Sequence, residues 1–375
     1  NGISALQSIS SGKKGRLAAY LVGFAGIITV TFILSFYAII SGWMIAHFFD
    51  GFAQILELNT ISNWLVTDAP IRSSLFVILF ILFTVNIISA GVENGIEKWA
   101  SRLMPSLIVL LILLIFYVIS LPGAMEGLRV YLIPDFSRLS DPTLLVDAMG
   151  QAFFSLSLGV GTMLIYGSYI SDKENLPVIG GLVALLDIGI AVIAGLLILP
   201  AMYVALSNGV EIFDSDGELI AGPGLIVSVL PTLFDSMGTI GIAVSLAFFL
   251  LMTIASLTSS ISMLEVPVSY AIEYHGINRK RAAAGIGAIV TFISLVIVFN
   301  FDLLFDQVVS FTTESSQPLL GLAFCIFAAW VWKRDKVLKE IEKGSPNAEK
   351  GIFWRIWPFY VKFICPVAIL IVYFQ

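Results

Sequence analysis

The chain has 375 residues, of which 58% are hydrophobic and 12% are charged, and its formal net charge is −6. Its mean hydropathy is +0.97. A soluble domain carries about twice the 12% share of charged residues found here. The negative net charge and the scattered basic residues exclude nucleic acid as a partner. The composition is therefore that of a membrane protein.

Charged residues are absent from long apolar runs. A helix needs about 20 apolar residues to cross the hydrocarbon core, and uninterrupted runs favour helices over a barrel, whose strands alternate in polarity. Nine candidate spans follow one another: 17–49, 73–92, 103–125, 148–171, 177–208, 236–264, 282–301, 315–332 and 359–375. The sequence thus predicts an all-α, multi-pass protein with one transmembrane domain over 1–375.

The basic residues predict the orientation. If 1–16 lies inside, then 17 of the 20 Lys and Arg residues fall on the same side of the membrane. Because this bias marks the cytoplasmic side, 1–16 and 333–358 are expected to be cytoplasmic loops of a protein of the cell membrane. The long loop 209–237 is expected to be extracellular and to contain short surface helices, as is 122–146. The start lacks a signal peptide and the last span is short, so a fragment is expected.

Polar residues in the spans are the candidates for function, since charge within a membrane is costly. Asp187 lies near the middle of its span. Ser155 and Ser157 lie at a similar depth, in a stretch with two glycines that weakens the helix. A break there would expose carbonyls and amides to a cavity, although close helix packing through small residues explains the pattern equally well.

A second polar cluster lies at 253–260. Thr258, Ser259 and Ser260 point in different directions on a helix, so they cannot all serve one packing face. Hydroxyls with a freed carbonyl suit a small hard cation, and hydrogen bonding between helices is the alternative. The sequence has no metal-ligand spacing and no nucleophile motif, so an enzyme is not expected.

Several ordered segments together resemble one known family. They are Phe36-Tyr37 with Trp43, 91–105, 150–161, 222–234 and 255–260. The chain resembles the neurotransmitter:sodium symporter family, in particular its prokaryotic amino-acid-transporting branch with the leucine-transporter fold. That fold has twelve helices, ten of them in two inverted repeats. The resemblance places this chain at helices three to eleven, without the first two.

The resemblance also implies roles for individual residues. Those implied to contact the substrate are Ile33, Tyr37, Phe154, Ser155, Ser157, Val160, Ser259 and Met263. Those implied to bind Na⁺ are Ser155 and Asp187 at a first site, and Ala255, Thr258 and Ser259 at a second. The side-chain pocket that this implies is uncharged and apolar, which favours a neutral, apolar amino acid.

Three positions depart from the family pattern. Asp187 stands at or beside a position where an asparagine is usual, and its carboxylate is expected to replace chloride as the negative charge. The alternative is an aspartate that pairs with a serine or a backbone group and does not contact an ion. Val309 stands where an outer-gate acid is expected, with Asp306 one turn away. Glu314 is a further carboxylate in the same helix. Asp306 and Glu314 are therefore candidates for gating or coupling.

The function expected from this resemblance is chloride-independent, sodium-coupled symport of an amino acid by alternating access. The alternatives are a proton-coupled transporter, suggested by Glu314 and Asp187, and a membrane protein that binds without transporting. The expected partners are a small amino acid, Na⁺ and the lipid bilayer. The sequence leaves open whether the protein forms a homodimer. The choice of amino acid and the sodium stoichiometry stay open as well.

Overall fold

Helices dominate the computed structural model, which describes residues 1–134, 136–138, 141–214, 217 and 219–374. Among these residues, eight helical segments are long and apolar enough to cross a membrane. They are Gly12–Ile55, Pro70–Ser89, Val92–Ile119, Leu176–Ser207, Thr239–His275, Arg279–Phe299, Phe301–Val331 and Ile352–Ile371. Eight predicted spans are thus continuous, and the ninth, 148–171, is interrupted.

The first third of the chain forms six α-helices. They are α1 (Gly2–Ile9), α2 (Gly12–Ile55), α3 (Asn59–Val66), α4 (Pro70–Ser89), α5 (Lys98–Ile119) and α6 (Ala124–Leu132). The segment 1–16, expected as a loop, is therefore itself helical: it contains α1 and the first turn of α2. Proline at the first position of α4 loses no hydrogen bond, because that amide has no partner within the helix.

The middle third contains both the broken helix and the longest outer loop. Its helices are α7 (Pro142–Ser155), α8 (Thr162–Gly167), α9 (Leu176–Ser207), α10 (Gly222–Gly224), α11 (Leu230–Ser236) and α12 (Thr239–His275). Short helices do form in both expected outer loops, with α6 in 122–146 and α10 and α11 in 209–237. Residues 215, 216 and 218 of the second loop, like 135, 139 and 140 of the first, lie outside the described residues.

The last third contains six helices, and π-helical turns join two pairs of them. Its helices are α13 (Arg279–Phe299), α14 (Phe301–Ser310), α15 (Gln317–Ile326), α16 (Arg334–Gly344), α17 (Ile352–Phe359) and α18 (Cys365–Tyr373). The turns Phe311–Ser316 and Tyr360–Ile364 link α14 to α15 and α17 to α18. The predicted loop 333–358 therefore contains α16 and most of α17.

Helices α2 and α12 pack against each other at the centre of the molecule. Lipid is as apolar as a side chain, so close packing and polar contacts hold helices together in a membrane. Gly42 lets α2 approach the backbone of Phe76 in α4. The Thr84 hydroxyl of α4 lies 2.8 Å from the Ser260 hydroxyl of α12, so this serine serves helix packing.

A buried ion pair joins α12, α13 and α4. Glu265 is fully buried, and Arg279 donates to its two carboxylate oxygens at 2.8 and 2.5 Å. Arg279 also donates to the Ile88 carbonyl at 3.2 Å, and the Tyr169 hydroxyl donates to Glu265 at 2.5 Å. This network fixes the end of α4 relative to α12 and α13.

Replacing Glu265 with alanine is expected to lower the free energy of unfolding by about 3 kcal/mol, because Arg279 is left largely buried without its counter-charge. Thermal unfolding of the purified protein in detergent measures the effect. Glu97→Ala, at an exposed glutamate, is the control and is expected to stay within about 0.5 kcal/mol. Equal stability of the two variants would show that the pair contributes nothing.

Candidate functional site

The helix that starts with α7 is interrupted in its middle. α7 ends at Ser155, α8 begins at Thr162, and the residues between them form no helix. Ser157 and Gly159 have φ of +50° and +85°, values that are costly for residues other than glycine. The break predicted from the serines and glycines of 151–161 is therefore present. The amides of 156–158 still bond back to carbonyls of α7, and regular helical bonding stops after them.

A cavity of about 410 Å³ lies beside this break. Its wall is formed by α2, α7, α8, α9, α12 and α15 together with the non-helical residues. All eight residues predicted to contact substrate line it: Ile33, Tyr37, Phe154, Ser155, Ser157, Val160, Ser259 and Met263. The eight residues come from three separate segments of the sequence, and the cavity volume is within the range of small-molecule sites.

Asp187 of α9 reaches the same cavity. The Ser155 hydroxyl donates a hydrogen bond to the Asp187 carboxylate at 2.7 Å. The two residues predicted for the first sodium site are therefore in direct contact at the end of α7. A carboxylate and a hydroxyl beside freed backbone carbonyls form the kind of oxygen-rich surface that hard cations prefer.

The second predicted sodium cluster lies on α12. The Thr258 hydroxyl donates to the Ala255 carbonyl at 2.8 Å, one turn earlier in the helix. Ser259 lines the cavity, whereas Ala255 and Thr258 do not. Thr258 and Ser259 follow Ala255 by three and four residues, so each lies near it on α12, whereas the two hydroxyl residues are adjacent and diverge from each other.

The two carboxylates predicted for gating or coupling lie apart from this cavity. Asp306 and Glu314 have exposed side chains, and neither lines the cavity. Glu314 accepts a hydrogen bond from the Ser310 hydroxyl at 2.6 Å, within the same helical segment. Their roles in gating or coupling stay predictions.

Sequence reasoning missed seven lining residues: Val30, Gln151, Thr162, Met163, Tyr166, Ser262 and Gln317. The Tyr166 and Ser262 hydroxyls are 2.8 Å apart and join α8 to α12. Ser262 follows Ser259 by three residues, so helical spacing could have placed it on the same face. Gln317 had no such signal, since only the tertiary fold brings α15 to the break.

Two lining residues have a buried polar atom without a hydrogen-bond partner among the described residues. They are Thr162, through its hydroxyl, and Gln317, through its amide oxygen. Both residues are at least 97% buried, Thr162 being 3% and Gln317 1% exposed. The cavity wall thus contains polar groups with unused bonding capacity next to apolar ones.

A cavity at the broken middle of a membrane helix, lined by hydroxyls and one carboxylate, defines a secondary transporter of the discontinuous-helix class. Comparisons with known proteins agree with this class. The sequence model described as "Sodium:neurotransmitter symporter family" matches residues 69–375. The chain belongs to this family.

Individual relatives support the same assignment. An uncharacterized sodium-dependent transporter of Bacillus subtilis, YhdH, is 30% identical over 96% of this chain and 80% of its own length. A second uncharacterized sodium-dependent transporter, from Haemophilus influenzae, is 30% identical over 94% of this chain and 78% of its own length. The serotonin transporter of Drosophila melanogaster is 28% identical over 83% of this chain and 50% of its own length.

Among solved structures, the crystal structure of MhsT in complex with L-phenylalanine superimposes with a TM-score of 0.83. The two proteins are 34% identical, and the match covers all of this chain and 84% of MhsT. The leucine-transporter-type fold expected from the resemblance is thereby confirmed. The protein is a multi-pass, sodium-dependent membrane transporter and not an enzyme.

Proposed function

We propose that this protein couples Na⁺ entry to the uptake of a neutral, apolar amino acid across the cytoplasmic membrane by alternating access, without chloride. The observation that carries the proposal is the cavity at the break, where the predicted substrate residues lie together with three of the predicted sodium residues, Ser155, Asp187 and Ser259. The relative MhsT was crystallised with an amino acid, L-phenylalanine, which supports this substrate class.

Two sodium sites are proposed. At the first, Ser155 and Asp187 supply oxygens, and the substrate carboxylate completes the shell of the ion. At the second, the Ala255 carbonyl and the hydroxyls of Thr258 and Ser259 face the ion. The hydrogen bond between Ser155 and Asp187 brings the two oxygens together, as a shared ion requires. An Asp187 that only pairs with Ser155 is the alternative, and the Na⁺ dependence of an Asp187→Asn variant distinguishes the two.

The proposed substrate follows from the chemistry of the cavity wall. Ile33, Val160 and Met263 are apolar, and Asp187 is the one acidic residue among the described lining residues. If Na⁺ neutralises Asp187, no charge is left to pair with a charged side chain. Tyr37 and the polar groups of the non-helical residues suit the carboxylate and ammonium groups common to all amino acids.

Voltage can drive this cycle. Each Na⁺ that moves inward across about 100 mV releases about 2.3 kcal/mol before any concentration gradient is counted. The proposed orientation places 1–16 and 333–358 in the cytoplasm, where most Lys and Arg residues then lie. The loop 209–237 then faces outside as a lid.

Uptake by the full-length protein in proteoliposomes tests the proposal. Labelled neutral amino acids are supplied with an inward Na⁺ gradient, with K⁺ replacing Na⁺ in the control and gluconate replacing chloride in parallel. The expected accumulation requires Na⁺ and does not change when chloride is replaced. Its rate should rise with Na⁺ concentration more steeply than binding at a single site allows. Accumulation driven by a pH gradient without Na⁺ would favour proton coupling, and binding without accumulation would contradict transport.

A further inference from the structure

Gln317 bonds to both sides of the helix break. Its side-chain amide nitrogen donates to the Phe153 carbonyl at 3.1 Å and to the Leu158 carbonyl at 3.2 Å. Phe153 belongs to the last turn of α7, and Leu158 lies in the non-helical residues that follow it. The Phe153 carbonyl also accepts from the Leu158 amide at 2.9 Å, so one side chain of α15 bonds to both ends of the turn that follows α7.

The orientation of this amide is determined by its partners. Backbone carbonyls only accept hydrogen bonds, so the amide nitrogen must face them, and a flipped amide would place its oxygen against two other oxygens. Both donor hydrogens of the nitrogen are thus used. Gln317 is 1% exposed, so water does not compete for these bonds.

The backbone at Gly159 also lies close against the backbone of α15. An added Cβ on Gly159 would lie 2.4 Å from the Gln317 carbonyl oxygen, so the break rests directly on the first turn of α15. Phe154, Ser155 and Ser157 lie between the two carbonyls that Gln317 holds. Their positions relative to the cavity therefore depend on where this segment is anchored.

We propose that Gln317 is a positioning residue that anchors the break on α15 and so holds Phe154, Ser155 and Ser157 toward the cavity. Its effect on transport rests on the proposed function, whereas the anchoring itself does not. Neither the substrate nor Na⁺ needs to contact Gln317 for this role. The side chain acts through the two carbonyls that it holds.

Gln317→Met, which keeps the length of the side chain but removes both donors, tests the transport effect. Two hydrogen bonds of about 1 kcal/mol each predict a rise of at least about tenfold in the apparent KM for the amino acid, with maximal rate within about twofold. Gln307→Met, at an exposed glutamine of α14, is the matched control and should leave the KM unchanged. Equal KM values for the two variants would overturn the proposal.

Gln317→His covers the case in which the methionine variant does not fold. Its Nε2 is as many bonds from the backbone as the glutamine nitrogen and can keep one of the two hydrogen bonds, so an intermediate KM, about threefold above the wild type, is expected. A KM equal to that of the wild type would overturn the proposal. If Gln317 only stabilised the fold, the variants would have lower melting temperatures, but their KM values would not rise in the order wild type, Gln317→His, Gln317→Met.

Hydrogen–deuterium exchange separates the anchor from the proposed function. Backbone amides of 156–161 should exchange faster in Gln317→Met and Gln317→His than in the wild type and in Gln307→Met. Unchanged exchange in both Gln317 variants would overturn the proposal. If the wild type accumulates no amino acid, the proposed function fails, and the exchange rates still decide whether Gln317 anchors the break.

Discussion

Asp187→Asn is expected to raise the Na⁺ concentration needed for half-maximal uptake in chloride-free medium at least about tenfold. The variant keeps the shape of the side chain and its contact with the Ser155 hydroxyl, but removes the negative charge from the cavity wall. Asp187 is half-buried and Ser155 is exposed, so the charge is partly screened, and its loss is expected to cost at least about 1.4 kcal/mol, which corresponds to about tenfold in affinity.

Chloride provides the second arm of this experiment. If Asp187 replaces chloride as the counter-charge of Na⁺, added chloride should restore part of the uptake of Asp187→Asn and leave the wild type unchanged. Asp306→Asn, at an exposed carboxylate away from the cavity, is the control. Its half-maximal Na⁺ concentration should equal that of the wild type, with or without chloride. Wild-type kinetics in Asp187→Asn without chloride would refute the first sodium site as proposed.

Gly159→Ala is expected to abolish uptake and to lower the amount of folded protein several-fold. The new Cβ would lie 2.4 Å from the Gln317 carbonyl oxygen and 2.9 Å from the Gly321 amide nitrogen. Both are backbone atoms, so no side-chain rotation relieves the contact. The positive φ of +85° adds about 1–2 kcal/mol for any residue with a Cβ.

The control for this variant lies in the same broken helix. Gly150→Ala in α7 places its Cβ where no atom lies within 4 Å, so uptake should persist and stability should rise by up to about 1 kcal/mol. Size-exclusion chromatography and thermal unfolding report folding, and proteoliposome uptake reports activity. Normal uptake by Gly159→Ala would mean that the break does not rest on α15 as described.

Local sequence patterns predicted the architecture well. Eight predicted spans are continuous helical segments, and the ninth is broken where Ser157 and Gly159 weaken it. These features are local, since the length of an apolar run and the cost of positive φ depend on neighbouring residues alone. The family resemblance added the substrate residues, and all eight of them line one cavity.

Other features had no local signal. In the run Thr258, Ser259 and Ser260, the sequence could not decide which hydroxyl packs and which faces a cavity. Packing against α4 directs Ser260 to Thr84 and leaves Ser259 at the cavity. The segment 1–16 reads as a polar loop, yet α1 forms there.

The sequence by itself determined that this protein crosses the membrane many times and where it does so, because both follow from the length of the apolar runs. For 151–161 it left two interpretations, a broken helix or close packing through small residues, and the structure decided for the break. The tertiary structure alone decided which polar groups meet. Ser155 and Asp187 are 32 residues apart, and Gln317 is 164 residues from Phe153. Such contacts depend on how the helices pack, and the short-range patterns of a sequence do not record that packing.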